Sequence, residues 1–134
     1  MASGTIKKEF TNYPKKYAVI LEWTSTGDAS SNTSTVNVVM KFYCPYDISI
    51  GSRSGTTITI DGTTYTFTAP ACRGAGTYTL GSASKTVSHN PDGSKSISIS
   101  GSFYVGATFG DGVSYGTYKP SGTATLDNLE SGES

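Results

Sequence analysis

At 134 residues the chain has the length of one domain, long enough to bury a core without a metal or a disulfide framework. Ten Lys plus Arg balance ten Asp plus Glu, so no basic field draws in phosphates and nucleic acid is not an expected partner. No apolar run approaches the roughly 20 residues of a membrane span, and Met1-Ala2-Ser3-Gly4 lacks the apolar stretch of a secretory signal.

Thr, Ser, Gly and Tyr are abundant, Gln is absent and the leucines number four, a composition that favours strands. No window of a dozen residues repeats apolar side chains at i, i+3, i+4, i+7, so little or no helix is expected.

In chain order, Thr5 to Phe10 is a short Lys-bearing piece suited to a sheet edge, ended by Asn12-Tyr13-Pro14. From Lys16 to Ser25, Tyr17, Val19, Leu21 and Trp23 share one parity, which sends the single tryptophan into the core. Thr26 to Ser31 reads as a loop. A long strand follows, with Val36, Val38, Met40, Phe42 and Cys44 inward and Thr35, Asn37, Val39, Lys41 and Tyr43 outward. Asn32-Thr33-Ser34 matches the N-glycosylation triplet, but nothing argues for a eukaryotic secretory route and the match carries no weight.

Ile48 to Ser54 is irregular. Asp61-Gly62 sits between two alternating Thr/apolar runs from Thr56 to Thr68, the sharpest hairpin signal in the chain. Ala69 to Gly76 reads as a loop, and Thr77 to Leu80 as a short strand set apart by Gly81 to Ser84. Lys85 to Val105 reads as a second hairpin, reversing at Asn90-Pro91-Asp92-Gly93, with Ile97, Ile99, Phe103 and Val105 inward and Tyr104 outward. Gly106 to Gly112 is another turn. Val113 to Lys119 and Gly122 to Leu126 close the strands.

Roughly eight to ten strands at about ten-residue spacing predict an all-β antiparallel sandwich, immunoglobulin-like or jelly-roll-like, over residues 1–128. Residues 129–134 read as a flexible acidic tail or linker, with fraying expected from Asn128. Trp23 precedes both cysteines, so the Cys, Trp, Cys order of antibody domains is absent. Cys44 and Cys72 fit no metal-ligand spacing, and buried free thiols are preferred to a disulfide.

One ordered set of motifs spans the chain from about Tyr17 to Leu126. It comprises Trp23-Thr24-Ser25, Asn32 to Val36, Gly51-Ser52 with Ser54-Gly55, Thr57 to Gly62, Ser84 to Asn90 with Asp92 to Lys95, and Gly122 to Leu126. This set resembles tail and minor structural proteins of phages that infect Gram-positive bacteria, in which His-Asn-x-Asp-Gly-Ser-Lys is the most recognisable piece. The resemblance implies a virion or extracellular-surface module near the tail tip that contacts host-surface glycans or spaces other tail proteins. Family members continue beyond the segment matching Leu126 into an Ile-Pro-Arg-Ala-Ser-like connector. Here Leu126-Asp127-Asn128-Leu129-Glu130 takes its place, as expected of either a clipped domain or a divergent member.

For chemistry, His89 is the single histidine, so any Ser-His-Asp or Cys-His machinery must use it; beside a turn, its ring is better explained as hydrogen-bonded to that turn. No enzymatic role is expected. Glu22 on an outward row must pair or reach solvent, with Lys41 as its neighbour. Asp61, Asp92 and Asp111 each precede glycine, which turn chemistry explains, and none lies in a contiguous calcium loop. No cofactor is expected, and calcium held by oxygens from separate loops stays open as an alternative.

The stronger signal is aromatic. Nine tyrosines offer rings on which sugar C–H faces stack, while Asn, Asp, Lys and Arg hydrogen-bond hydroxyls. One expected platform is Tyr43 with Asn37 and Lys41, another joins Tyr115 and Tyr118 to Arg73 and Asp111, and Tyr104 is a further outward ring. The competing reading makes tyrosine a good strand residue on a wet sheet face. A carbohydrate-binding module is therefore weighed against a structural spacer of a virion.

Overall fold

A computed structural model describes residues 2–10, 17–45, 48–108 and 114–129. The described residues form eleven strands and no helix: β1 (Ala2–Glu9), β2 (Ala18–Asp28), β3 (Thr33–Cys44), β4 (Ser49–Ile50), β5 (Arg53–Ile60), β6 (Thr63–Ala69), β7 (Cys72–Arg73), β8 (Gly76–Ser88), β9 (Ser96–Thr108), β10 (Ser114–Tyr118) and β11 (Ser121–Thr125). All pairings are antiparallel. The first sheet runs β1-β2-β3-β8 and the second β10-β9-β5-β6, with β11 also on β9 and a small β4-β7 ribbon beside them. The fold is an all-β sandwich, as the period-two alternation predicts.

Alternation sorts the side chains. On β3, Val36, Val38, Met40 and Phe42 are fully buried, while Asn37 and Tyr43 face out; on β9, Ile99, Phe103 and Val105 are buried and Tyr104 is exposed. Trp23 is buried as expected, at 7% exposure. The Asp61-Gly62 hairpin also holds. Ile60 pairs with Thr63, and both turn residues take positive φ, 47° and 85°, the backbone of a type I′ turn.

Several boundaries differ from the sequence reading. The strand from Ala18 continues to Asp28, because β3 pairs with it as far as Thr33 and only Ala29 to Asn32 turn. The supposed breaks at Ile48 to Ser54 and Ala69 to Gly76 contain β4 and β7, which pair with each other. Gly81 does not end a strand either, since β8 runs unbroken from Gly76 to Ser88. The Phe67 ring of β6 lies against Gly81, where any Cβ would collide with it. This glycine marks a close approach of two sheets rather than a turn.

The largest correction concerns Lys85 to Val105, which is not a hairpin. Its two arms never pair: β8 joins β3 in the first sheet and β9 joins β5, β10 and β11 in the second. The turn is an arch between sheets, with Val87 and Ile97 both in the core. Alternation plus a reversal is the same signal for a hairpin and for an arch, because both need one buried face on each arm.

The far end of the sandwich is sealed by aromatics. Phe10 stacks on Tyr118 with centroids 4.0 Å apart and on Tyr115 at 5.0 Å, and it lies 5.9 Å from Phe42. Tyr115 and Tyr118 are three residues apart, so a regular strand would point them to opposite faces. Both nevertheless reach Phe10, and the pairing of β10 with β9 is irregular between them: its register shifts between Tyr115 and Thr117, opposite Gly106 with φ 58°. At the opposite end Leu129, expected in the fraying tail, donates its N–H to Gly93 O at 2.9 Å and rests against Gly27.

Candidate functional site

Among the described residues, the large hydrophobic side chains left exposed are Tyr43, at 40%, and Tyr104, at 54%. They lie on the outer faces of different sheets, so they make two separate places and not one platform.

Around Tyr43, the outer face of the first sheet is rich in hydroxyls. Tyr43 pairs across with Ala18 and Thr77, Lys41 with Ile20 and Thr79, and Asn37 with Thr24 and Ser84. Tyr43 lies six positions along the strand from Asn37, roughly 20 Å at the strand rise. The expected Tyr43, Lys41 and Asn37 set is therefore a line along β3, able to touch one ligand only if that ligand is an extended chain. Lys41 Nζ meets Glu22 Oε1 at 2.8 Å, the pairing expected from sequence. Both ends are partly exposed, so the pair adds at most about 1 kcal/mol, but it neutralises the one cation of the line.

Tyr104 has a neighbour that the sequence reading missed. Gly55, with φ 75°, marks a bulge where β5 leaves its ladder. There Arg53 replaces backbone pairing with its guanidinium: Nε donates to Tyr104 O at 3.2 Å and Val105 O at 3.1 Å, and Nη2 to Val105 O at 2.8 Å. Nη1 reaches Gly51 O and Ser52 O, both at 3.3 Å. The guanidinium carbon stands 5.9 Å from the centroid of the Tyr104 ring, within cation–π range. The ring edge rests against Gly106. Strand order alone would have exposed this arrangement, since it depends on β5 lying beside β9 across more than forty residues of sequence.

The second expected platform does not assemble. Tyr115 is buried, at 3%, and Tyr118 is half-buried with one face stacked on Phe10, so the two rings make no open pair; burial also pushes the Tyr118 hydroxyl pKa up. Arg73 is exposed on β7 and donates to Ser49 Oγ. Asp111 lies outside the described residues.

His89 is a structural bridge. Its Nδ1 lies 2.7 Å from Gly93 O and its Nε2 2.7 Å from Ser34 Oγ. A carbonyl only accepts, so Nδ1 carries hydrogen and donates to Gly93, while Nε2 faces the Ser34 hydroxyl. That is the contact a serine nucleophile makes with its base. Here Ser34 is 2% exposed and His89 7%, which leaves a substrate no approach to the hydroxyl. The Asn32 side-chain nitrogen is also engaged, donating to His89 O and Asn90 O at 3.3 and 2.9 Å.

Cys44 and Cys72 are both free and buried. Burial first and the neighbouring Cys72 second push the Cys44 thiol up to about 12; burial also raises that of Cys72, with Arg53 pulling the other way. Among the described residues no group of three or more His, Cys, Asp or Glu could hold a metal ion. No family model, no curated protein and no solved structure matches this chain, so the likeness to phage tail proteins rests on its sequence motifs alone.

Proposed function

We propose that this chain is a non-catalytic carbohydrate-binding module of a phage tail or related surface assembly, holding host-surface or cell-wall polysaccharide. The observation that carries this reading is the pair of exposed tyrosines, each set in a hydroxyl-rich sheet face beside a cation. An exposed ring on a rigid strand offers a stacking surface for a sugar, and Asn37, Lys41 and Glu22 supply hydrogen-bonding groups along the line of a polymer. Each place is shallow, so each binds weakly, and several copies in one assembly supply avidity.

A glycan array probed with the folded module tests this reading. Retention of at least one polysaccharide, weakened by Tyr43→Ala or Tyr104→Ala, supports it; no retention of any glycan removes it.

A second reading makes the module a spacer whose wet faces pack on other tail proteins. It is favoured by hydroxyls that already satisfy one another, Thr35 with Thr86 at 3.2 Å and Thr59 with Thr64 at 2.9 Å. Size-exclusion chromatography with co-purification of the neighbouring tail proteins separates the two, since the spacer forms a stable complex without glycan.

A further inference from the structure

We infer that Tyr104 and Arg53 form a subsite for an acidic sugar unit, one that carries a carboxylate or a phosphate, while the Tyr43 line takes neutral sugars. This rests on the carbohydrate-binding reading and gives its two places different ligands.

The difference lies in charge. Lys41, beside Tyr43, is ion-paired with Glu22 at 2.8 Å, so that place is close to neutral. Arg53, beside Tyr104, has no carboxylate partner among the described residues; its hydrogen bonds all go to backbone carbonyls. A guanidinium stays charged at any working pH, and carbonyl dipoles solvate that charge without cancelling it. A cation with fixed geometry therefore stands next to a ring that is 54% exposed.

The donor count agrees. A guanidinium has five N–H groups. Nε uses its one on Tyr104 O and Val105 O, Nη1 can spend both on Gly51 O and Ser52 O, and Nη2 spends one on Val105 O. The second Nη2 hydrogen has no acceptor among the described residues. Fixed by the carbonyls it already holds, Arg53 loses little side-chain entropy on binding, which favours a charge-assisted hydrogen bond to an anion. The sugar ring would stack on Tyr104 while its acidic substituent meets Arg53. Gly106 under the ring edge leaves no room for a side chain that would lift the ring out of this position.

Affinity electrophoresis in gels holding a polyuronate, a phosphate-bearing mannan or neutral dextran tests the inference, with circular dichroism melting as the check on folding. The expected result is retardation on one or both acidic polymers, weakened by 0.5 M salt as screening requires. Tyr104→Ala should lower that affinity at least about tenfold, and Arg53→Lys, which keeps the charge but loses the fork, several-fold, with both variants still folded. Retardation on the polyuronate or on the mannan identifies which anion is preferred, and either supports the subsite. Binding to dextran that falls with Tyr104→Ala as much as binding to the acidic polymers does, or acidic binding unchanged by Tyr104→Ala, would overturn the subsite and leave the module reading in place. No retardation of the folded protein on any polymer overturns both.

Discussion

His89 shows how much one side chain decides here. Its ring joins the arch at Gly93 to Ser34 on β3, and its backbone N–H donates to Asn32 O at 2.8 Å. His89→Ala leaves the Ser34 hydroxyl without its ring partner and opens a small cavity; it should cost about 1–3 kcal/mol, seen as a lower urea midpoint at unchanged m-value. The turn half of this role was legible, because a lone histidine beside Asn-Pro-Asp-Gly has a partner at hand. The Ser34 half was not, since the two residues are 55 apart in sequence.

The buried thiols give a second expectation. With the Cys44 thiol raised to about 12 by burial, the native protein should react negligibly with a thiol reagent at pH 8, and both cysteines should label after denaturation. The turn carboxylates give a third. Asp92 is held below its ordinary 3.8 first by the Ser94 hydroxyl and then by the Ser94 N–H, and Asp28 likewise by Ser30. A carboxyl depressed on folding contributes stability above its unfolded pKa and loses it as pH falls through the folded value, so this share disappears on acidification below about pH 3.8. Stability of Asp92→Asn should fall less steeply with acid over that range, measured by urea titration at each pH.

Among the elements, strand faces were legible, while strand partners were legible only where a tight turn such as Asp61-Gly62 or a charge pair such as Glu22 and Lys41 marked them. Period-two alternation placed Val36 to Cys44, Trp23, Tyr43 and Tyr104 on the faces they occupy, because burial of one face is a local property of the sequence. Whether β8 pairs with β9 or crosses to the other sheet depends on which edge is free at β3 and β5, and no local pattern encodes it. Irregular pairing hides in the same way: where the register of β10 on β9 shifts, Tyr115 is buried and Tyr118 stacks on Phe10, and the expected sugar platform does not form. Gly81 is the sharpest test at this scale. Gly81→Ala should destabilise the sandwich by about 1–3 kcal/mol, read as a lower melting temperature, because the Phe67 ring must move to admit a methyl group. A true turn at Gly81 would tolerate alanine with little change.

For the molecule as a whole, two sheets back to back give two outer faces, and among the described residues each carries one exposed tyrosine. If the proposed module binds glycan, this arrangement lets it meet a polymer from either side and gain strength from repetition in its assembly. It also predicts that the two places act independently, since no side chain is shared between them and distant sites add. The most direct measurement is retardation of four folded proteins, wild type, Tyr43→Ala, Tyr104→Ala and the double variant, on an immobilised polysaccharide that contains both acidic and neutral sugar units and retains the wild type. The account predicts melting temperatures within a few degrees of one another, partial loss in each single variant and near-complete loss in the double. Retention of the double variant at wild-type strength would contradict it.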